Sequence, residues 1–177
     1  AITLTAVVFS CSAHAQSIDI LSAGAVEPGI LAAADAFKKQ TGTDVKVRFA
    51  FASCQDFIGR YYRAWKALAD EAEPVDFVLY LGDYIYEYPT RNGAVRPMEG
   101  GQVRTLAQYR ARYATHKSDP SLQAAHAAFP WLTVWDDHEV DNDYAGLQGQ
   151  GLQRDFAQQR AAAYQAWFEH MPVRPSR

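Results

Sequence analysis

Three strand-like runs, DVKVRFAFASC, VDFVLYLGD and WLTVW, are separated by stretches with helical periodicity. A chain that alternates strand-like and helix-like segments folds as an α/β layer structure, with a central sheet and covering helices. In such folds the residues just beyond the strand ends meet along one edge of the sheet. Here every run ends in residues capable of chemistry. FASCQ delivers Cys54, VLYLGDYIYE delivers Asp83 and Tyr86, and TVWDDHEVDND delivers Asp136, Asp137, His138 and Asn142. Carboxylates crowded in this way repel one another unless a cation sits among them, so the convergence predicts a metal pair.

The local signals predict the elements between. SIDILSAG at 17–24 reads as a strand and glycine turn. EPGILAAADAFKKQTG reads as a helix, with Pro28 in its first turn, Lys38 and Lys39 in its last, and Gly42 stopping it. DVKVRFAFASC is a strand entering the core. FIGRYYRAWKALADEA is a helix with Ile58, Tyr62, Trp65, Leu68 and Ala69 on one side. YPTRNGAVRPMEGG is an irregular loop. Thr105 starts a helix over TLAQYRARYATHK, and Asp119 with Pro120 starts another over DPSLQAAHAAF. GLQRDFAQQRAAAYQAWFEHM is a long closing helix ended by Pro172.

The N-terminus differs in character. AITLTAVVFSCSAHAQS is an apolar run followed by small residues, the pattern of an export signal cut after Ala13-His14-Ala15. A lipoprotein signal would use Cys11, but Phe9 is a poor residue for that motif, and the alternative without a signal is a buried strand. Removal of 1–15 leaves Cys54 as the only cysteine of the 177-residue chain's remainder, so no internal disulfide is expected. With a net charge of -3, no basic field points to nucleic acid, and no apolar segment is long enough to span a bilayer.

Donor chemistry refines the metal expectation. A thiolate and a phenolate favour a strong transition-metal Lewis acid, so Cys54, Asp83 and Tyr86 suggest an iron-like site. Asp83, Asp137 and Asn142 suggest a harder neighbour sharing the Asp83 bridge. Each residue also has a plain structural reading. Cys54 could be a small buried hydrophobe, and Asp83 a turn former. Tyr84, Tyr86 and Tyr88 could form an aromatic ladder, and Asp136, Asp137 and Asp141 could cap the following turn. His116 and His126 read as surface or boundary residues, and His170 as a helix-end cation. Arg91, Arg96 and Arg104 read as solvated loop charges, and Tyr164, Trp167 and Phe168 as core.

VRFAFASCQ, DFVLYLGDYIYEYP and the stretch LAQYRARYATHKSDPSLQAAHAAFPWLTVWDDHEVDNDYAG together resemble the PhoD-like alkaline phosphatases of the metallophosphatase superfamily, over about Val47 to Arg177. The resemblance implies a metallophosphatase-type sheet sandwich, here partial and incomplete at the C-terminus, because the family continues further and draws more His and Asp ligands from that part. It implies an exported, periplasmic or secreted enzyme that hydrolyses phosphate mono- and diesters with Fe3+ and Ca2+. It makes Asp83 the bridging ligand and Cys54 and Tyr86 iron ligands. WDDHE would place Asp137 at a metal position and His138 facing substrate, as a group that stabilises charge or protonates the leaving oxygen. Asn142 is an equal candidate for the Asp137 position. Residues 16–46 instead resemble the opening β-α-β unit of molybdate-type periplasmic binding proteins, as in a fusion. The competing readings are therefore an oxyanion-binding protein, using Ser22 and Gly24 to Val26, and an inactive fragment.

Overall fold

The computed structural model describes residues 27–42, 48–71 and 75–174. The chain divides into two compact units, 1–48 and 49–177. The expected export signal, Cys11, the first strand at 17–24, and Ser22 and Gly24 to Val26 lie outside the described residues.

In the first unit, α1 spans Glu27–Thr41, with Lys38 and Lys39 in its last turn. Gly42, at φ +72°, ends it as expected.

The second unit is built on a parallel sheet of β1 (Phe49–Ala52), β2 (Phe77–Tyr80) and β3 (Trp131–Thr133), in that order. Parallel neighbours need crossovers. The first contains α2 (Arg63–Ala69); the second contains α3 (Leu106–Lys117) and α4 (Pro120–Ala128). α5 (Phe156–His170) closes the unit. Register puts Ala50, Val78 and Trp131 in one row, and Val78 and Trp131 are buried against Trp65, Tyr84, Leu122 and Ala125. The next row, Phe51, Leu79 and Leu132, points to the other face, where Phe51 and Leu132 are exposed. Parallel sheets are normally covered on both faces. Here the Phe51 and Leu132 end of that face is exposed among the described residues, while Phe49 on the same face is buried, and the small parallel sheet with its helices is consistent with the expected incomplete α/β fold. Among the described residues no helix is long and apolar enough to cross a membrane.

Local capping signals set the boundaries of α3 and α4. Thr105 and Gln108 form a reciprocal capping box, and the Asp119 carboxylate accepts from the N–H groups of Ser121 and Leu122. Two other helices start later than their periodicity suggests. α2 begins at Arg63 rather than Phe57, because tertiary partners take the carbonyls ahead of it. Phe57 O accepts from Arg96, and Ile58 O from the N–H groups of Val95 and Arg96. α5 begins at Phe156 rather than Gly151, because Gln150 and Gln153 instead donate to the Asp141 carboxylate.

Several side chains differ from their sequence reading. Arg96 is no solvated charge. It pairs with Asp119 in a largely buried contact, and its guanidinium lies 3.8 Å from the Phe57 ring centroid. Arg91 does remain at the surface, paired with Asp56. Tyr84 is fully buried. Of the α5 aromatics, Trp167 is core but Phe168 is exposed. His126 stacks on Trp131 and bonds the Tyr84 hydroxyl at 2.8 Å. His170 bonds Ala166 O within the last turn of α5, consistent with its helix-end reading.

His116 is 0% exposed, not a surface residue. Burial, together with the charges of Arg112 and Arg96, pulls its pKa from 6.5 to about 3, against the Arg112 carbonyl bond and the Asp56 charge, which raise it. The unfolded chain therefore binds a proton below pH 6.5 that the folded chain refuses until about 3. Stability is complete above 6.5 and falls as pH drops through that window, at up to ~1.4 kcal/mol per pH unit. His126, pulled down to about 4 by burial and by Lys117, adds in the same direction. Urea unfolding between pH 7 and 5 is expected to show this loss, and His116→Phe to flatten it. An equal slope in the variant would remove His116 from the account.

Candidate metal centre

Because the three strands are parallel, their C-terminal ends lie side by side, and the chain leaves β1 and β2 in left-handed turns. Cys54 follows β1 at φ +57°, and Gly82 and Asp83 follow β2 at φ +102° and +56°. Non-glycine residues in this left-handed region are costly and collect at functional sites. The two turns are tied together: Cys54 N–H donates to Gly82 O at 3.2 Å, and Gln55 N–H to Asp83 O at 3.1 Å. After β3, Asp136 caps a single 3-10 turn over Asp137–Glu139.

These turns bring the predicted residues together. Asp83 Oδ2 accepts from the Cys54 thiol at 3.3 Å and from the Tyr86 phenol at 3.2 Å. Asp83 Oδ1 is buried with no hydrogen-bond partner. Asp83, Asp137 and His138 each offer a ligand atom, all within 4.8 Å of one another. Cys54 is exposed, so it is not the small buried hydrophobe of its plain reading. Asn142 meets the site through Tyr88. Its Oδ1 is 3.5 Å from the Tyr88 hydroxyl, and its amide donates to Asp143. Asp137 also serves its own turn, accepting from the N–H groups of His138 and Asp143 at 2.9 and 2.6 Å.

Sequence reasoning missed three supporting residues. Glu139, 1% exposed, accepts from the backbone N–H groups of Asp83, Tyr84 and Asp136, and so locks the turn after β2 to the turn after β3. The Asp136-x-x-Glu139 spacing is a capping-box signal that could have revealed it. Glu87 accepts from His138 Nδ1 and from Asn142 N–H, both at 2.9 Å. Tyr88 Oη lies 2.8 Å from His138 Nε2. Nothing in the local pattern marked Glu87 or Tyr88 as imidazole partners.

Electrostatics agree with a site built for cations. Burial raises the Asp83 pKa, helped by the charges of Asp137 and Asp136, against the Cys54 hydrogen bond and His138. Burial, then the charges of Asp83 and Cys54, push the Tyr86 phenol well above its ordinary range. Burial pushes Glu139 up to about 7 despite the three N–H groups that oppose it. Burial pulls His138 down, but the Glu87 bond and the charges of Glu87, Asp83 and Asp137 outweigh it, and the net shift is upward. A partnerless buried carboxylate oxygen, ringed by thiol, phenol, carboxylate and imidazole, has the donor chemistry of a transition-metal site beside a harder ion.

Comparison with known proteins gives a consistent picture. The PhoD-like phosphatase family matches residues 49–177. Alkaline phosphatase D of Bacillus subtilis (strain 168) is 49% identical over 139 residues, which is 74% of this chain and 23% of that protein. A solved structure of PhoD, also 49% identical, superposes with a TM-score of 0.65, covering 72% of this chain and 26% of the other. The chain thus spans about a quarter of the length of these relatives.

Proposed function

Since this chain belongs to the PhoD-like phosphatase family, we propose that it hydrolyses phosphate mono- and diesters at a metal centre assembled on Asp83. The observation that carries the reading is the Asp83 carboxylate, bonded on one oxygen to Cys54 and Tyr86 and on the other to nothing. Those two donors and Asp83 would hold Fe3+. Asp83 with Asp137 and Asn142 would hold Ca2+. When bound, the cations supply Lewis acidity, which screens the phosphate charge and acidifies the attacking water.

The protein's own groups do the rest. Glu87 holds the Nδ1 side of His138, so Nε2 is the nitrogen left for a ligand, and Tyr88 now occupies it. With an ester bound, that nitrogen stabilises charge on the leaving oxygen or delivers its proton. Glu139 keeps the Asp83 turn rigid while this happens. No serine nucleophile and no covalent enzyme intermediate are needed. Export to the periplasm or outside the cell belongs to the same reading, supported by the apolar run before Ala13-His14-Ala15.

The test is hydrolysis of bis-p-nitrophenyl phosphate and p-nitrophenyl phosphate by the chain supplied with Fe3+ and Ca2+, against the same chain with chelator. Metal-dependent release of nitrophenol from the parent, lost in His138→Ala, is expected. A purified chain that retains no iron or calcium and releases none sinks the proposal.

A further inference from the structure

Asp83, Tyr86, Glu87 and Tyr88 sit on a stretch, 81–88, that belongs to neither helix nor strand. Without a ladder to hold it, this backbone needs other partners. At its first end the partner is an anion, since the Glu139 carboxylate takes the N–H groups of Asp83 and Tyr84. At its other end the partner is a cation. Arg112, on the buried face of α3 and 4% exposed, sends Nη1 to both Tyr86 O and Tyr88 O, and Nη2 to Gly101 O at 3.2 Å. All three contacts are to backbone carbonyls, and two of them flank Glu87.

We infer that Arg112 is a positioning residue that fixes the Tyr86–Tyr88 backbone, and through it the aim of the Tyr86 phenol at the metal centre. The inference rests on the ligand reading above and goes beyond it, because Arg112 touches neither metal nor substrate. Two carbonyls separated by one residue converge on one nitrogen. That fixes the bend of the chain between them, and the bend decides where Tyr86 Oη stands relative to Asp83 Oδ2. A planar guanidinium can satisfy three carbonyls in two directions at once. A lysine ammonium is a point donor on a flexible stem and cannot hold the same fork. A guanidinium in this place also neutralises part of the Glu87 charge, which in turn orients His138. A charged residue at 112, beside Tyr109, Tyr113 and His116 on the buried face of α3, thereby has a reason to be buried.

The experiment titrates Fe3+ into the full chain and reads the visible phenolate-to-iron absorption, which only a tyrosine bound to iron produces. Tyr86→Phe serves as the blank, and urea unfolding of each apo variant runs in parallel. R112K is expected to fold, to weaken the absorption midpoint by about 10- to 100-fold, the range for residues that orient metal ligands, and to shift the band. Leu122→Ala, which removes buried apolar volume on α4 but no hydrogen bond, should lose stability without moving the midpoint. If R112K binds iron with the parent's midpoint and band, Arg112 only stabilises the fold and the inference is overturned. If the parent itself gives no band that Tyr86→Phe removes, the ligand reading fails and the inference with it. If Leu122→Ala shifts the midpoint as far as R112K does, the effect is general loosening and the positioning role is again refuted.

Discussion

Asp83→Asn is expected to strip the chain of bound metal and of esterase activity together, while leaving the metal-free protein at least as stable as the parent. The carboxylate is where the argument concentrates. One oxygen meets Cys54 and Tyr86, and the other is buried with no partner. Without a cation that charge is a liability, which is why burial raises its pKa. Asn keeps the shape and an acceptor but removes the charge. The apo state therefore loses a strained anion, and on the proposed reading the centre loses the carboxylate that would serve both cations. Forfeiting about 4 kcal/mol of transition-state charge stabilisation lowers the rate about 10³-fold. Elemental analysis after dialysis, nitrophenol release and urea unfolding of the apo chain read the three effects separately. Retained metal with retained activity would remove Asp83 from the centre, whatever the unfolding curve shows. Such a trade of stability for function is common at active sites.

Gly82→Ala is expected to be the most damaging single substitution for the fold. A Cβ at residue 82 would stand 2.5 Å from Asp136 Cβ and 2.6 Å from Asp136 N, at a φ of +102°. Backbone strain of 1–3 kcal/mol adds to overpacking of similar size, for a total of about 3–5 kcal/mol. That approaches the whole stability of a small domain. The clash also falls on the N–H that Asp136 gives to Glu139, so the variant opens the contact between the turns after β2 and β3. Gly93→Ala is the control. Its φ is +79° but nothing lies within 4 Å of its Cβ, so only the backbone term remains, about 1 kcal/mol. Soluble yield and urea midpoints check both. Similar losses in the two variants would mean that the close approach at Gly82 carries no weight.

Elements marked by their own capping residues were readable in the sequence. Thr105 and Asp119 start α3 and α4 where expected, because a cap satisfies N–H groups within three residues of itself. α2 and α5 were not readable at their first turns, because the groups there are claimed by Arg96, Val95 and Asp141, whose positions depend on the fold. His116 and Arg96 fell on the wrong side of the surface for a related reason. Helical spacing says which residues share a face, but not what that face meets.

The sequence by itself determined the alternation of strand and helix, and with it the meeting of Cys54, Asp83, Tyr86, Asp137 and His138 at one sheet edge. Ligand-type residues directly after parallel strands have little choice of place. Only the tertiary structure decided how those residues are held. Glu139 spans 55 and 56 residues to the N–H groups of Tyr84 and Asp83, Glu87 spans 51 to His138, and Arg112 spans 26 and 24 to the carbonyls of Tyr86 and Tyr88. A buried charge finds its partner by proximity in space. Periodicity and capping speak only of neighbours along the chain, so no local pattern could announce these pairs.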